Sequence, residues 1–239
     1  MRPQPGSHQH HDAPLRRAAA TRRSGWGGAR RWLVAIGAVA LAAGLSPASS
    51  SAAGREVVVR TAYTTAYTWF DNTPHGSAEI SHPVLHRKAG GTGTYADPLT
   101  IAVGHVYKDR AGRVAAHSST TKDVLDYPAG TRMYLPDVRR YAIVEDTCGD
   151  GRRPDLVPCH RGANANGSHA TTWVDLWIGG AGGSRSAVQR CASTVTDGTG
   201  QRHTIVLNPA PDYVVASGQG VFHGGRCDAG YGNTLVRRR

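Results

Sequence analysis

Residues 140–151 read RYAIVEDTCGDG. Tyr141 to Val144 form a short β-branched and aromatic run, the signature of a strand entering a core. Glu145 and Asp146 follow side by side where that strand emerges, and Thr147, Cys148 and a glycine-rich turn come next. Successive strand residues point to opposite faces, so the two acids are expected to face apart, with only one of them functional. Gly149 and Gly151 allow the backbone to turn away sharply.

Further strands are read on either side of this one. REVVVRTAYTTAYTWF (55–70) is one long strand, whose internal TAYTTAYT is alternation rather than an architectural repeat. LTIAVG (99–104), TRMYLP (131–136), WVDLWIG (173–179) and HTIVLNP (203–209) complete the set, with glycine and proline marking the turns. SRSAVQRCAST (184–194) is the one short helix expected, and 106–126 and 149–171 read as polar loops. Six short strands with long loops predict an all-β fold, a small six-stranded barrel rather than a sandwich.

The chain of 239 residues carries a net charge of +11, but residues 1–31, with seven arginines and one aspartate, hold +6 of it. An apolar run of 14 residues follows, Trp32 to Leu45, and then a small-residue stretch. This is the order of a signal peptide, with cleavage expected after Ala53 and residues 1–53 removed. Arg30-Arg31 leaves both general secretion and twin-arginine export open. The run is too short to span a bilayer comfortably, so stable membrane insertion is not expected after cleavage. The exported remainder holds +5, three of it in the terminal arginines 237–239, read as a basic tail behind a domain of 54–236. That balance argues against nucleic acid as a partner and tolerates an anionic polysaccharide.

All four cysteines, Cys148, Cys159, Cys191 and Cys227, lie in the exported part. An even number in an exported chain reads as disulfides, for which three pairings exist. Cys148–Cys159 and Cys191–Cys227 are favoured because local pairs close modest loops. No pair has Cys-x-x-Cys spacing, and Pro83 between His82 and His86 argues against a helical metal pair. Neither a metal nor a cofactor is expected.

Four aspartates mark strand edges: Asp71 after YTWF, Asp97 before PLTIAV, Asp146 after YAIVE, and Asp175 within TWVDLWIGG. A strand-end aspartate ordinarily caps a turn. Asp175 departs from that pattern, because it shares one strand face with Trp173 and Trp177. Partial desolvation there raises a carboxyl pKa and suits a proton donor. A second carboxylate that stays ionised serves as base or stabilising anion, the pairing that glycosidic cleavage requires. Tyr67, Trp69, Trp173 and Trp177 are expected to offer flat faces to sugar rings.

The segments TAYTTAYTWFDN, AGGTGTYADPLTIAVG, YPAGTRMYLPDVRRYAIVEDTCG, VDLWIGG and HTIVLNP together resemble double-psi β-barrels, over roughly residues 57–210. That superfamily includes the three-aspartate domain of lytic transglycosylases, the rare-lipoprotein-A-like domain, expansins and family 45 glycoside hydrolases. VEDTCG is similar to the Asp-Thr-Gly turn of the three-aspartate domain, and VDLWIGG to its closing motif. The resemblance implies that Asp146 and Asp175 are site acids, with Asp175 the proton donor. It implies that Asp71 is similar to the family 45 base, and that His105 is similar to the rare-lipoprotein-A histidine after its strand. The third aspartate of the three-aspartate pattern is missing after IAV, and Asp97 stands before that strand instead. The expected protein is therefore a secreted, monomeric barrel cleaving peptidoglycan, or secondarily β-1,4-glucan. The alternative is an expansin-like barrel that binds polysaccharide without cleaving it. In either case Asp97 and His105 join the aromatics as substrate contacts. Catalytic carboxyls ~6.5–9.5 Å apart would favour inverting hydrolysis.

Overall fold

The computed structural model describes residues 54–149, 151–161, 165–216 and 219–239; the leader, 1–53, lies outside the described residues. The strands in chain order are β1 (Val57–Tyr67), β2 (Leu99–Val103), β3 (His105–Lys108), β4 (Lys122–Leu125), β5 (Arg132–Leu135), β6 (Arg140–Thr147), β7 (Thr172–Trp177), β8 (His203–Leu207), β9 (Phe222–His223) and β10 (Arg226–Cys227). Among the described residues there is one α-helix, α1, spanning Arg185–Val195.

Six strands close into a barrel in the order β1-β7-β2-β6-β5-β8. Two neighbouring pairs, β1/β7 and β2/β6, are parallel, and the other contacts are antiparallel. Alternate residues fill the interior: Ala62 from β1, Ile101 from β2, Met133 from β5, Val144 from β6, Leu176 from β7 and Ile205 from β8, each no more than 1 % exposed. Closure leaves no unpaired edge, and the small Ala62 and Ala142 leave room for the larger side chains opposite. Ser184 caps α1 by accepting from the Ala187 N–H. The helix buries Val188, Cys191 and Val195, and the Cys191–Cys227 disulfide ties it to β10.

Three expectations change. The stretch 106–126 is not a plain loop, because β3 and β4 pair as a hairpin with His105 opposite Leu125. The terminal arginines are exposed, but the first two are tied back to the domain. The Arg237 guanidinium lies over the Tyr213 ring and pairs with Glu56, and the Arg238 N–H donates to the Asp212 carbonyl. Finally, β6 carries a β-bulge: Ile101 pairs with Val144 and Ala102 with Asp146, leaving Glu145 as the extra residue. Glu145 and Asp146 therefore do not face apart, and both carboxylates reach the segment that crosses the outside of the barrel at residues 76–89.

Candidate functional site

The outer wall of the barrel carries a row of side chains in register across four neighbouring strands. Thr65 of β1 pairs with Asp175 of β7, Asp175 with Ala102 of β2, and Ala102 with Asp146 of β6. Asp175 and Asp146 are thus separated by one strand rather than placed on adjacent ones. Two sheet spacings set their Cα atoms about 9–10 Å apart. Ala102 has the smallest side chain in the row and leaves a floor between the acids. The turn after β1 brings Asp71 to the same place, and the crossing segment brings Ser81 and Glu79. These residues and Tyr67 line one groove of about 300 Å³.

Each acid is held differently. Asp146 is 6 % exposed and accepts four hydrogen bonds. Oδ1 takes the Ser81 N–H (3.1 Å), the Ser81 Oγ–H (3.0 Å) and the Thr147 N–H (2.9 Å), and Oδ2 takes the Tyr67 hydroxyl (3.0 Å). Burial raises its pKa, and those bonds oppose the rise. Tyr67 is pushed well above the usual phenol value by burial and then by the charge of Asp146, so it remains a donor. Asp71 sits at the rim, where Oδ1 accepts the Thr68 N–H (2.6 Å) and the Thr68 Oγ–H (2.7 Å). Its Oδ2 has no protein donor among the described residues.

Asp175 is half-buried and lines the groove. Its Oδ1 accepts a single bond, from Thr65 Oγ1 at 2.7 Å. Burial lifts its pKa to about 7; the Thr65 bond works against this, and the charges of Asp71 and Asp146 add to it. Asp175 is therefore substantially protonated near neutral pH and held by one donor, whereas Asp146 is held by four and Asp71 lies exposed at the rim. That contrast of environments separates acid and base roles.

Other expected contacts lie elsewhere. Asp97 is outside the groove: its Oδ1 meets His86 Nε2 at 2.9 Å and its Oδ2 accepts the Thr92 N–H. It does not line the groove, whereas Asp71 does. His105 is 3 % exposed, with Nδ1 2.8 Å from Asp123 and Nε2 3.0 Å from the Gly149 carbonyl. It is a fastener for the Cys148 turn and presents no ring to a ligand. The indoles are structural too. Trp177 packs edge-on to Tyr67 and Trp173 edge-on to Tyr63, while Trp69 packs half-buried beside the Tyr67–Trp177 pair. Tyr67 is the aromatic that lines the groove. Trp173 still bears on the site, since its Nε1–H donates to Thr65 Oγ1 at 2.8 Å.

The far wall of the groove is pinned by the Cys148–Cys159 disulfide. Gly149 has φ +108°, and a Cβ there would stand 2.3 Å from a Val157 methyl, so only glycine fits the turn. His82 and His86 do not form a metal pair: His82 meets Asp123, and His86 bridges Glu145 and Asp97. No group of three metal-binding side chains suited to an ion occurs among the described residues. Among them, no helix is long and apolar enough to cross a membrane. Thr65, Glu79, Ser81 and Ala102 were not legible as site residues. Thr65 had a signal in hindsight, as the β1 residue in register with Asp175; Ser81 lies in coil and had none.

The family defined by the DDB_G0273701 N-terminal domain matches residues 59–228, which covers the barrel strands except the first two residues of β1, and each groove residue named above. The uncharacterized protein DDB_G0273701/DDB_G0273221 of Dictyostelium discoideum is 31% identical over 115 residues, 48% of this chain and 37% of the relative. The match thus spans little more than a third of the relative's length. No solved structure matches.

Proposed function

The chain belongs to the DDB_G0273701 N-terminal domain family, and from the groove within that matched span we propose a secreted enzyme that cleaves glycosidic bonds, with peptidoglycan the first substrate and β-1,4-glucan the second. The observation that carries this reading is the convergence of Asp175, with a pKa of about 7, and two further aspartates on one open groove. Asp175 donates its proton to the leaving oxygen. Asp71, whose Oδ2 meets no protein donor among the described residues, activates the water. Asp146, saturated by four donors, is a poor base and a good fixed anion against positive charge on the sugar. Hydrolysis is favoured over lytic cleavage because a second carboxyl is available to that water.

Two parallel strand pairs in a closed six-stranded barrel support the double-psi assignment. The leader sequence and two disulfides support export. The test is release of soluble fragments from purified peptidoglycan and from amorphous cellulose, comparing the native protein with Asp175→Asn. Release by the native protein and its loss in the variant upholds the reading. Equal binding by both proteins, with no fragments from either polymer, replaces it with a binding barrel.

A further inference from the structure

A second feature of the groove concerns where the Asp175 proton sits. Trp173, Thr65 and Asp175 form a chain across β7 and β1: Trp173 Nε1 to Thr65 Oγ1 at 2.8 Å, then Thr65 Oγ1 to Asp175 Oδ1 at 2.7 Å. An indole N–H can only donate, so Thr65 Oγ1 is an acceptor in the first bond. The threonine has one hydrogen to give. Among the described residues, the one acceptor its oxygen meets is Asp175 Oδ1. A proton on Oδ1 would have to be donated back to Thr65, which would strand the hydroxyl hydrogen in a half-buried place with no acceptor. With the proton on Oδ2, every donor in the chain is met and Oδ1 serves as the carbonyl oxygen, the better acceptor of the two.

We propose that Trp173 and Thr65 are positioning residues that lock the Asp175 proton onto Oδ2, the oxygen turned to the groove. The chain works as a one-way relay of donors: it begins at a group that cannot accept and ends at the oxygen that must not carry the proton. The remaining charged or titratable groups facing Asp175 do not compete for that role. Tyr67 and Asp146 bond each other, Asp71 is bonded to Thr68, and Glu79 pairs with Lys88 at the outer lip. The relay would deliver the proton along the open side of the carboxyl, toward a bound glycosidic oxygen. In this respect the inference rests on the proposed glycan cleavage, but the position of the proton can be measured without any substrate.

The experiment is pH-difference infrared spectroscopy on the full exported chain, read at the C=O stretch of protonated Asp175 and assigned by its loss in Asp175→Asn. Thr65→Val removes the donor to the carbonyl oxygen. The stretch should move to higher frequency, and the titration midpoint should rise by about one pH unit, the worth of one lost hydrogen bond to the anion. Thr65→Ser should restore both. Trp173→Phe should broaden the band as the hydroxyl gains freedom, and it carries the test if the valine variant fails to fold. An unchanged stretch in both Thr65→Val and Trp173→Phe overturns the proposal, as does failure of Thr65→Ser to restore the band. A shifted stretch in a protein that releases no glycan fragments upholds the locked proton and sinks the cleavage reading alone.

Discussion

Glu145 and Asp146 are consecutive in the chain and grip one crossing segment at two places. Glu145 Oε1 accepts the N–H groups of Val84, Leu85 and His86, while Asp146 Oδ1 accepts the N–H and hydroxyl of Ser81. The first acid is fully buried and spends its charge on architecture, leaving the second at the groove.

Glu145→Ala should therefore be costly for stability. It strands three N–H groups and the His86 ring, and loss of a buried charged acceptor of this kind is worth about 3–5 kcal/mol. Denaturant midpoints measure the loss. Amide hydrogen exchange should show protection at residues 84–86 falling first, before the barrel strands.

The Asp175 carboxyl makes the protein less stable as pH rises. Its folded pKa of about 7 lies above the ordinary carboxylate value, so between roughly pH 4 and 7 the folded state holds a proton that the unfolded state has lost. The stability conferred is complete in acid and disappears as pH climbs through that window. Asp175→Asn should accordingly be more stable than the native protein at pH 7.5, by up to about 4 kcal/mol, and nearly equal to it near pH 4. Urea titrations at the two pH values check this. Glycan release should fall above about pH 7 for the same reason.

Ala102 keeps the acids apart. Its Cβ faces the groove floor and packs near Ala78, Ala89 and Trp177. Ala102→Leu should cost about 1–3 kcal/mol through overpacking, and it should abolish fragment release by filling the space between Asp146 and Asp175. Ala102→Ser should retain both stability and release. Thermal melts and the fragment assay separate the two effects.

The two disulfides should fail in different ways. Cys191–Cys227 closes the longer loop, with a sequence separation of 36 against 11 for Cys148–Cys159. On loop-closure entropy its removal costs about 4 kcal/mol against about 3 kcal/mol. Cys148 lines the groove, so the pair Cys148→Ser and Cys159→Ser should lose more activity despite the smaller loss of stability. Denaturation and fragment release on the two double variants should rank oppositely.

Much of the barrel was written locally. All six barrel strands and α1 coincide with apolar, β-branched or capped segments that can be read without tertiary information. The β3–β4 hairpin was not readable, because HVYK and KDVL are short, mixed in polarity and separated by 13 residues of polar connection. The aspartates of the groove were readable because an acid within or beside an apolar strand is conspicuous. Their partners were not: Ser81 and Thr65 meet their acids across 65 and 110 residues of chain, and no local pattern encodes such a distance. The indoles misled for a related reason. A tryptophan on the outer wall looks like a sugar platform until the segment that covers it is known.

The bulge in β6 also bears on insertions and deletions. Removing one residue from a strand ordinarily turns everything beyond it to the opposite side of the sheet. Glu145 is the residue without a counterpart on β2, so its removal would leave Val144 opposite Ile101 and bring the aspartate opposite Ala102 by plain alternation. The groove acid would keep its bearing, and the ladder would become regular. What would vanish is the fastening of residues 84–86. The extra glutamate is thus a clasp set into the barrel wall, separable from the wall itself, and shortening the chain by one residue there is a milder operation on the groove than the same deletion anywhere else in the strand.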